Sequence, residues 1–177
     1  MVWFTGNRNN RIVRLDPATG KLTTFMIPDT SVRDPHTLIF TKDGIGWFSA
    51  QQSQRIGRID TKTGEIKLWR PPGEGRTNPY GVVIDQTNRP FFNLWATNKI
   101  ATIDPKTLEY KEYVHPDERM RARRIAITSD GQIYVVADTG TRRASSCPLA
   151  DPDTSASAVL TSASIFSFAL LRCTGSK

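Results

Sequence analysis

Two runs decide the fold. They are Pro35-His36-Thr37-Leu38-Ile39-Phe40-Thr41-Lys42-Asp43-Gly44-Ile45-Gly46-Trp47-Phe48-Ser49-Ala50 and, after a short polar gap, Arg55-Ile56-Gly57-Arg58-Ile59-Asp60-Thr61-Lys62-Thr63-Gly64-Glu65-Ile66-Lys67-Leu68-Trp69. Short stretches of β-branched and aromatic residues alternate with polar ones and are broken by turn residues, so they read as strands. The pattern predicts strands at 37–40, 45–49, 55–60 and 65–69. Lys42-Asp43-Gly44 and Thr61-Lys62-Thr63-Gly64 are the turns, Gly44 supplying the positive φ of a tight hairpin. No segment keeps a 3.6-residue apolar period for three turns, which excludes a helical repeat.

The unit recurs every 44 residues. Trp47-Phe48 is preceded by Trp3-Phe4 and followed by Phe91-Phe92; Ile56-Gly57-Arg58 by Ile12-Val13-Arg14 and Ile100-Ala101-Thr102. Asp60-Thr61-Lys62-Thr63-Gly64 is matched by Asp16-Pro17-Ala18-Thr19-Gly20 and Asp104-Pro105-Lys106-Thr107-Leu108. Pro35-His36 becomes Pro79-Tyr80, and one more step of 44 reaches Arg123-Arg124. Four strands per 40 to 50 residues is the period of a β-propeller blade. The chain is therefore expected to be all-β, a propeller of four-stranded blades with units in phase at 3–46, 47–90 and 91–134. Trp3, Trp47, Phe91 and Phe92 are expected in the blade core, and the segments 7–10, 51–54 and 96–99 as hairpins between second and third strands.

The array is incomplete, at about three to four blades, because 177 residues at 44 per blade gives about four. Trp3-Phe4 reads as a second strand with no first strand before it, and 125–135 supplies two strands of a fourth unit, after which the pattern stops. Residues 1–143 thus form a partial propeller. Residues 144–177 are a Ser/Ala-rich tail, read either as a linker or as out-of-frame sequence. An open arc exposes blade faces and sheet edges, which invites self-association to complete the ring; Val159-Leu160 and 165–171 could pair with such an edge.

Net charge is +7, but the tail carries two charges of each sign, so the excess belongs to the first part alone. It is spread over turns and strands rather than gathered in one helix or arm, which argues against nucleic acid. No stretch is long and apolar enough for a membrane helix, and the first residues lack the features of a secretory signal. The default compartment is cytoplasmic, although a longer parent could be exported. Cys147 and Cys173 are too few and too poorly spaced for zinc.

Only two histidines occur. His36 beside Asp34 could take a proton near neutral pH, or pack as a structural ring at the blade entrance. His115, in Val114-His115-Pro116-Asp117, reads as a solvated loop residue. Arg119, Arg121 and Arg123 alternate next to Arg124 and could bind a carboxylate or phosphate as forked donors. The channel face is the expected place for a small-molecule or peptide-like ligand, with Tyr80, Arg123 and Arg124 as its binding residues.

Trp47-Phe48-Ser49, Arg55-Ile56-Gly57-Arg58-Ile59-Asp60 with Thr63-Gly64, Pro35-His36 and Pro79-Tyr80-Gly81 resemble the blade motif of the virginiamycin B lyase (streptogramin lyase) family, over roughly residues 2–138. The resemblance implies a seven-bladed propeller and an enzyme that opens a cyclic depsipeptide antibiotic by elimination, a base removing a proton next to a carbonyl while Mg²⁺ steadies the developing charge. It places the base on His36 of Asp34-Pro35-His36, and the metal ligands on Asp34 and Gln51, where the family has glutamates. Gln51 departs from the pattern, a neutral amide where Mg²⁺ prefers a carboxylate. Two other readings stand beside it: a non-catalytic propeller module that binds through the channel face, and a truncated, inactive product.

Overall fold

The computed structural model describes residues 1–115, 121–137, 143–147 and 161–164. Its strands are β1 (Val2–Gly6), β2 (Arg11–Leu15), β3 (Leu22–Met26), β4 (Pro35–Phe40), β5 (Ile45–Ala50), β6 (Arg55–Asp60), β7 (Ile66–Trp69), β8 (Pro79–Ile84), β9 (Pro90–Leu94), β10 (Lys99–Ile103), β11 (Tyr110–Val114), β12 (Ala122–Ile127), β13 (Ile133–Ala137), β14 (Arg143–Cys147) and β15 (Thr161–Ser164). They form four antiparallel sheets in chain order, β1-β2-β3, β4-β5-β6-β7, β8-β9-β10-β11 and β12-β13-β14-β15. This is the all-β blade array that the period predicts. Among the described residues no helix is long and apolar enough to cross a membrane.

The fourth sheet does not stop at two strands. β14 pairs with β13, and β15 pairs with β14, both antiparallel. The backbone of β13 needs partners along its second edge, and any extended segment can supply them without the Ile-Gly-Arg signature. The expected strand candidates Val159-Leu160 and 165–171, with Cys173, lie outside the described residues.

Each sheet packs on the next through residues in equal phase. Trp3, Ile12 and Phe25 cover Phe48, Ile59 and Ile66 of the second sheet. Trp47, Ile56 and Trp69 cover Phe92, Ile103 and Tyr110 of the third. Phe91, Ile100 and Tyr113 cover Ile133 and Val135 of the fourth. Ring contacts cross these seams, as between Trp3 and Phe40 at 5.3 Å and Trp47 and Phe92 at 6.3 Å.

A second periodic device is polar. Thr5 Oγ1 donates to the His36 carbonyl at 3.0 Å, Ser49 Oγ to the Tyr80 carbonyl at 2.5 Å, and Asn93 Nδ2 to the Ala122 carbonyl. These three residues stand 44 apart at one place on β1, β5 and β9, so each sheet bonds forward to the inner strand of its successor.

The register also corrects the phase of the fourth unit. Pro35 opposes Ala50, Pro79 opposes Leu94, and Ala122 opposes Ala137. Ala122 thus stands where Pro35 and Pro79 stand, and Arg123, not Arg124, is the counterpart of His36 and Tyr80. His115 still keeps the 44-residue phase, so the chain loses one residue between His115 and Ala122.

The turn motif is held by Asp16, Asp60 and Asp104, whose carboxylates accept backbone N–H groups two or three residues on. Gly20, Gly64 and Leu108 close these turns with φ of 71°, 77° and 62°. The backbone donors hold all three carboxyls below the ordinary aspartate range, Thr19 adding at Asp16 and burial opposing slightly. Since folding depresses these pKa values, their stabilisation is complete above the unfolded value near 4 and is lost as pH falls through the lower folded values. The thermal midpoint is therefore expected to hold level with respect to these groups from pH 7 to 5 and to fall below pH 4, as read by circular dichroism in a pH series.

Candidate functional site

The second residues of β4, β8 and β12 are His36, Tyr80 and Arg123. They occupy one register position on the innermost strands of three successive sheets and meet there. The His36 and Tyr80 rings lie 4.6 Å apart at 36°. The Arg123 guanidinium sits 5.5 Å from the Tyr80 centroid and 5.6 Å from that of Trp95, and Arg124 reaches Tyr80 at 5.9 Å. Imidazole, phenol and guanidinium thus form a ladder across the sheets, with an indole on its far side. The contacts are of the kind that attract a cation to a ring face.

Local backbone irregularity aims these side chains. A register shift falls between Pro35 and Leu38, between Pro79 and Val82, and between Ala122 and Arg124. Each follows or encloses the ladder residue, and such bulges turn a strand's side chains away from the regular alternation. Gly81 suits the crowded place after Tyr80, since a Cβ there would meet Asn93 Oδ1 at 2.6 Å. The carbonyls of His36 and Tyr80 are fixed from the preceding sheet by Thr5 and Ser49. His36 Nδ1 lies 3.1 Å from Thr37 Oγ1.

Asp34 is close in sequence but differently engaged. Its carboxylate accepts the backbone N–H of Gln52 at 2.5 Å, the N–H of Ser53 at 3.1 Å, and the Ser53 hydroxyl. The group caps the β5-β6 hairpin. Its counterpart Asn78 is buried, and Gln51's counterpart is Trp95, 44 residues on. Trp95 escaped the sequence reading although the period points to it.

His115 is a correction. It is 5% exposed, not solvated, with its N–H bonded to the Asn98 carbonyl at 2.6 Å and its own carbonyl accepting Asn98 Nδ2 at 2.8 Å. It stands in phase with Ile27 and Pro71, both buried, so the repeat makes this a packing position. Arg121 is exposed, and Arg119 lies outside the described residues.

A profile of the virginiamycin B lyase family matches residues 1–143. The chain belongs to this family. Among solved structures, a selenomethionine-substituted virginiamycin B lyase from Staphylococcus aureus superposes with a TM-score of 0.77 and 22% identity over 93% of this chain and 52% of that one. A catalytically inactive virginiamycin B lyase from Staphylococcus aureus with quinupristin gives 0.76 and 23% over 92% and 51%, and a streptogramin B lyase gives 0.75 and 20% over 90% and 49%. The chain spans about half the length of these lyases. No curated protein sequence matches it.

The Mg²⁺ that the lyase family implies finds no fit at Asp34 and Gln51. Three donors already occupy the Asp34 carboxylate, which offers roughly four lone-pair sites, and Gln51 brings no charge. Among the described residues no group of three or more His, Cys, Asp or Glu side chains could hold a metal ion.

Proposed function

We propose that the His36-Tyr80-Arg123 ladder is part of the channel-face site of a lyase-family propeller that takes a cyclic depsipeptide of the streptogramin B class, and that His36 is the base of its ring-opening elimination. The observation that carries this reading is the meeting of three predicted site residues at one register position on successive inner strands. An aromatic ring of the ligand would lie on Tyr80 and Trp95. Neutral imidazole at His36 would take the proton from the carbon next to a carbonyl; the freed pair forms a C=C bond as the ester C–O bond breaks, and the ester oxygen departs as a carboxylate. Arg123 offers that new anion a forked donor.

A second reading, capture of the ligand without turnover, is favoured by the engagement of the Asp34 carboxylate with its own hairpin. Quinupristin separates the two. Titration followed by calorimetry and tryptophan fluorescence is expected to show saturable binding, with Tyr80→Ala weakening it about five- to thirtyfold, since an aromatic or cation–π contact is worth about 1–2 kcal/mol. Elimination within a ring leaves the mass unchanged, so ring opening is followed chromatographically as a new isomer. Opening that vanishes in His36→Ala while binding persists supports the base; binding without opening supports capture. No binding up to millimolar quinupristin overturns both.

A further inference from the structure

The third sheet holds, beside the ladder, a corner of polar groups with no partner inside the protein. Among the described residues five buried side-chain polar atoms lack a hydrogen bond, and three of them, Thr77 Oγ1, Asn78 Oδ1 and Trp95 Nε1, belong to this corner. Backbone bonds bring the residues together, from the Trp95 N–H to the Asn78 carbonyl at 3.0 Å and from the Ala96 N–H to the Thr77 carbonyl at 3.2 Å. Thr77 and Asn78 are 5% and 9% exposed. Arg123 of the ladder stands over the Trp95 ring. Native structures leave few such groups unpaired, and each calls for a reason.

The repeat shows that the fold does not use them. In the second sheet Asp34 caps its hairpin through the Gln52 and Ser53 amides. Their counterparts Ala96 and Thr97 are bonded elsewhere, Ala96 to the Thr77 carbonyl and Thr97, by N–H and hydroxyl, to the Leu94 carbonyl at 3.0 and 3.1 Å. These amides need nothing from the Asn78 side chain. Asn78 also has a φ of 49°, a left-handed conformation that Asp34 does not share, and an outlier of this kind points to function.

The groups complement one partner. An indole N–H only donates and an amide oxygen only accepts, so together they match the C=O and N–H of a peptide group. We infer that Thr77, Asn78 and Trp95 form a subsite for a peptide group of the ligand, with Trp95 Nε1 and the Thr77 hydroxyl donating to its carbonyl and Asn78 Oδ1 accepting its N–H. This rests on the reading of the ladder as a ligand site. An ester offers no N–H and would leave Asn78 Oδ1 unpaired, so the subsite tells the amide links of a depsipeptide from its ester link and leaves the ester for His36.

The segment before the corner gives access to it. In the first unit the corresponding loop is tied down, Asn10 Nδ2 donating to the Asp29 and Val32 carbonyls and Asp29 pairing with Arg55 at 3.5 Å. One period on, Gly73 and Gly75 replace Asp29 and Ser31, with φ of 114° and 84° and open space where a Cβ would stand. Residues 72–76 are exposed, and the corner opens when they lift.

The test uses the full chain and quinupristin. Thr77→Val keeps the shape and removes an unpaired hydroxyl, so the urea midpoint is expected to hold or rise while the dissociation constant rises about two- to tenfold. Asn78→Gly keeps the left-handed backbone and is expected to weaken binding by a similar factor. In a ¹⁵N-correlated spectrum of the unsubstituted chain, the Trp95 indole N–H, identified by its loss in Trp95→Phe, should move downfield on saturation. Equal affinity in both variants, a Thr77→Val midpoint that falls together with affinity, or an indole signal that stays in place overturns the subsite while quinupristin binding itself stands. Absence of binding by the unsubstituted chain overturns the ladder reading and the subsite with it.

Discussion

Replacing Asn93 by Leu should lower stability by about 2–6 kcal/mol, the sum for two backbone groups that lose their partner at about 1–3 kcal/mol each. Asn93 is fully buried. Its Oδ1 accepts the Gly81 N–H at 2.7 Å, and its Nδ2 donates to the Ala122 carbonyl. One amide therefore joins β9 to β8 of its own sheet and to β12 of the next. Leucine matches the shape and supplies neither bond. Urea unfolding is the measurement, read as a drop in midpoint at unchanged slope. The same substitution should loosen Arg123 from Tyr80, since Gly81 and Ala122 each adjoin one of them, and so weaken ligand binding more than a variant that only lowers stability. Asn98→Leu is the comparison: Asn98 is half-buried and, among the described residues, its side chain makes one bond, to the His115 carbonyl, so a loss of about 1 kcal/mol for that bond and unchanged ligand affinity are expected.

The second large effect is steric. A Cβ on Gly57 would lie 2.0 Å from Phe48 Cζ and 2.3 and 2.5 Å from its two ε carbons. The Phe48 ring is fully buried in the seam with Ile12, Ile27 and Val32 and has no free side toward which to move. Overpacking a core usually costs about 1–3 kcal/mol; a clash with a ring held on all sides belongs at or above the top of that range. Alanine gains back only about 0.4–1 kcal/mol from the stiffer unfolded chain. Gly57→Ala is therefore expected to cost about 2–3 kcal/mol net, and Gly57→Val to yield no folded protein at 37 °C. Phe48→Leu combined with Gly57→Ala should recover most of the loss, because it removes the ring atoms that collide. Failure of that rescue would mean that backbone movement, not the ring, limits the site. The first sheet has Val13 at this position opposite Phe4, which is 44% exposed, and the third has Ala101 opposite the fully buried Phe92, so the cost of Gly57→Ala measures how far the Phe48 ring can take the seat that Phe92 has.

Much of this architecture is legible in the residues because one interval repeats. Trp3, Trp47 and Phe91 announce the second strands, and Asp16, Asp60 and Asp104 announce the turns, through chemistry that is local: alternation for a half-buried strand, a short carboxylate for a tight turn. The ladder was legible to the same degree. His36 and Tyr80 share a phase, and Arg123 stood within one residue of its true place. The missing residue before Ala122 cannot be found from the arginines themselves, which are chemically identical; the turn Thr128-Ser129-Asp130-Gly131, 87 and not 88 residues after Thr41-Lys42-Asp43-Gly44, carries it, and the pairing of β12 with β13 agrees. His115 was misread for a different reason. Its neighbours Pro116 and Asp117 look like loop, whereas its burial follows from Ile27 and Pro71 two and one periods earlier. The orientation of Asp34 was beyond the sequence altogether. A carboxylate two residues before a histidine can face the channel or cap a hairpin, and the choice depends on where the Gln52 and Ser53 amides stand in space.

The forward bonds of Thr5, Ser49 and Asn93 give the array a grain. Loss of a unit from its leading side removes a donor and leaves in the next sheet a carbonyl without that bond. Loss from the trailing side strands a hydroxyl or an amide whose receiver has gone. As the chain leaves the ribosome, each sheet likewise emerges with one polar group waiting for the sheet still to be made, and only the sheet bearing Val136 at the place of Thr5, Ser49 and Asn93 waits for none.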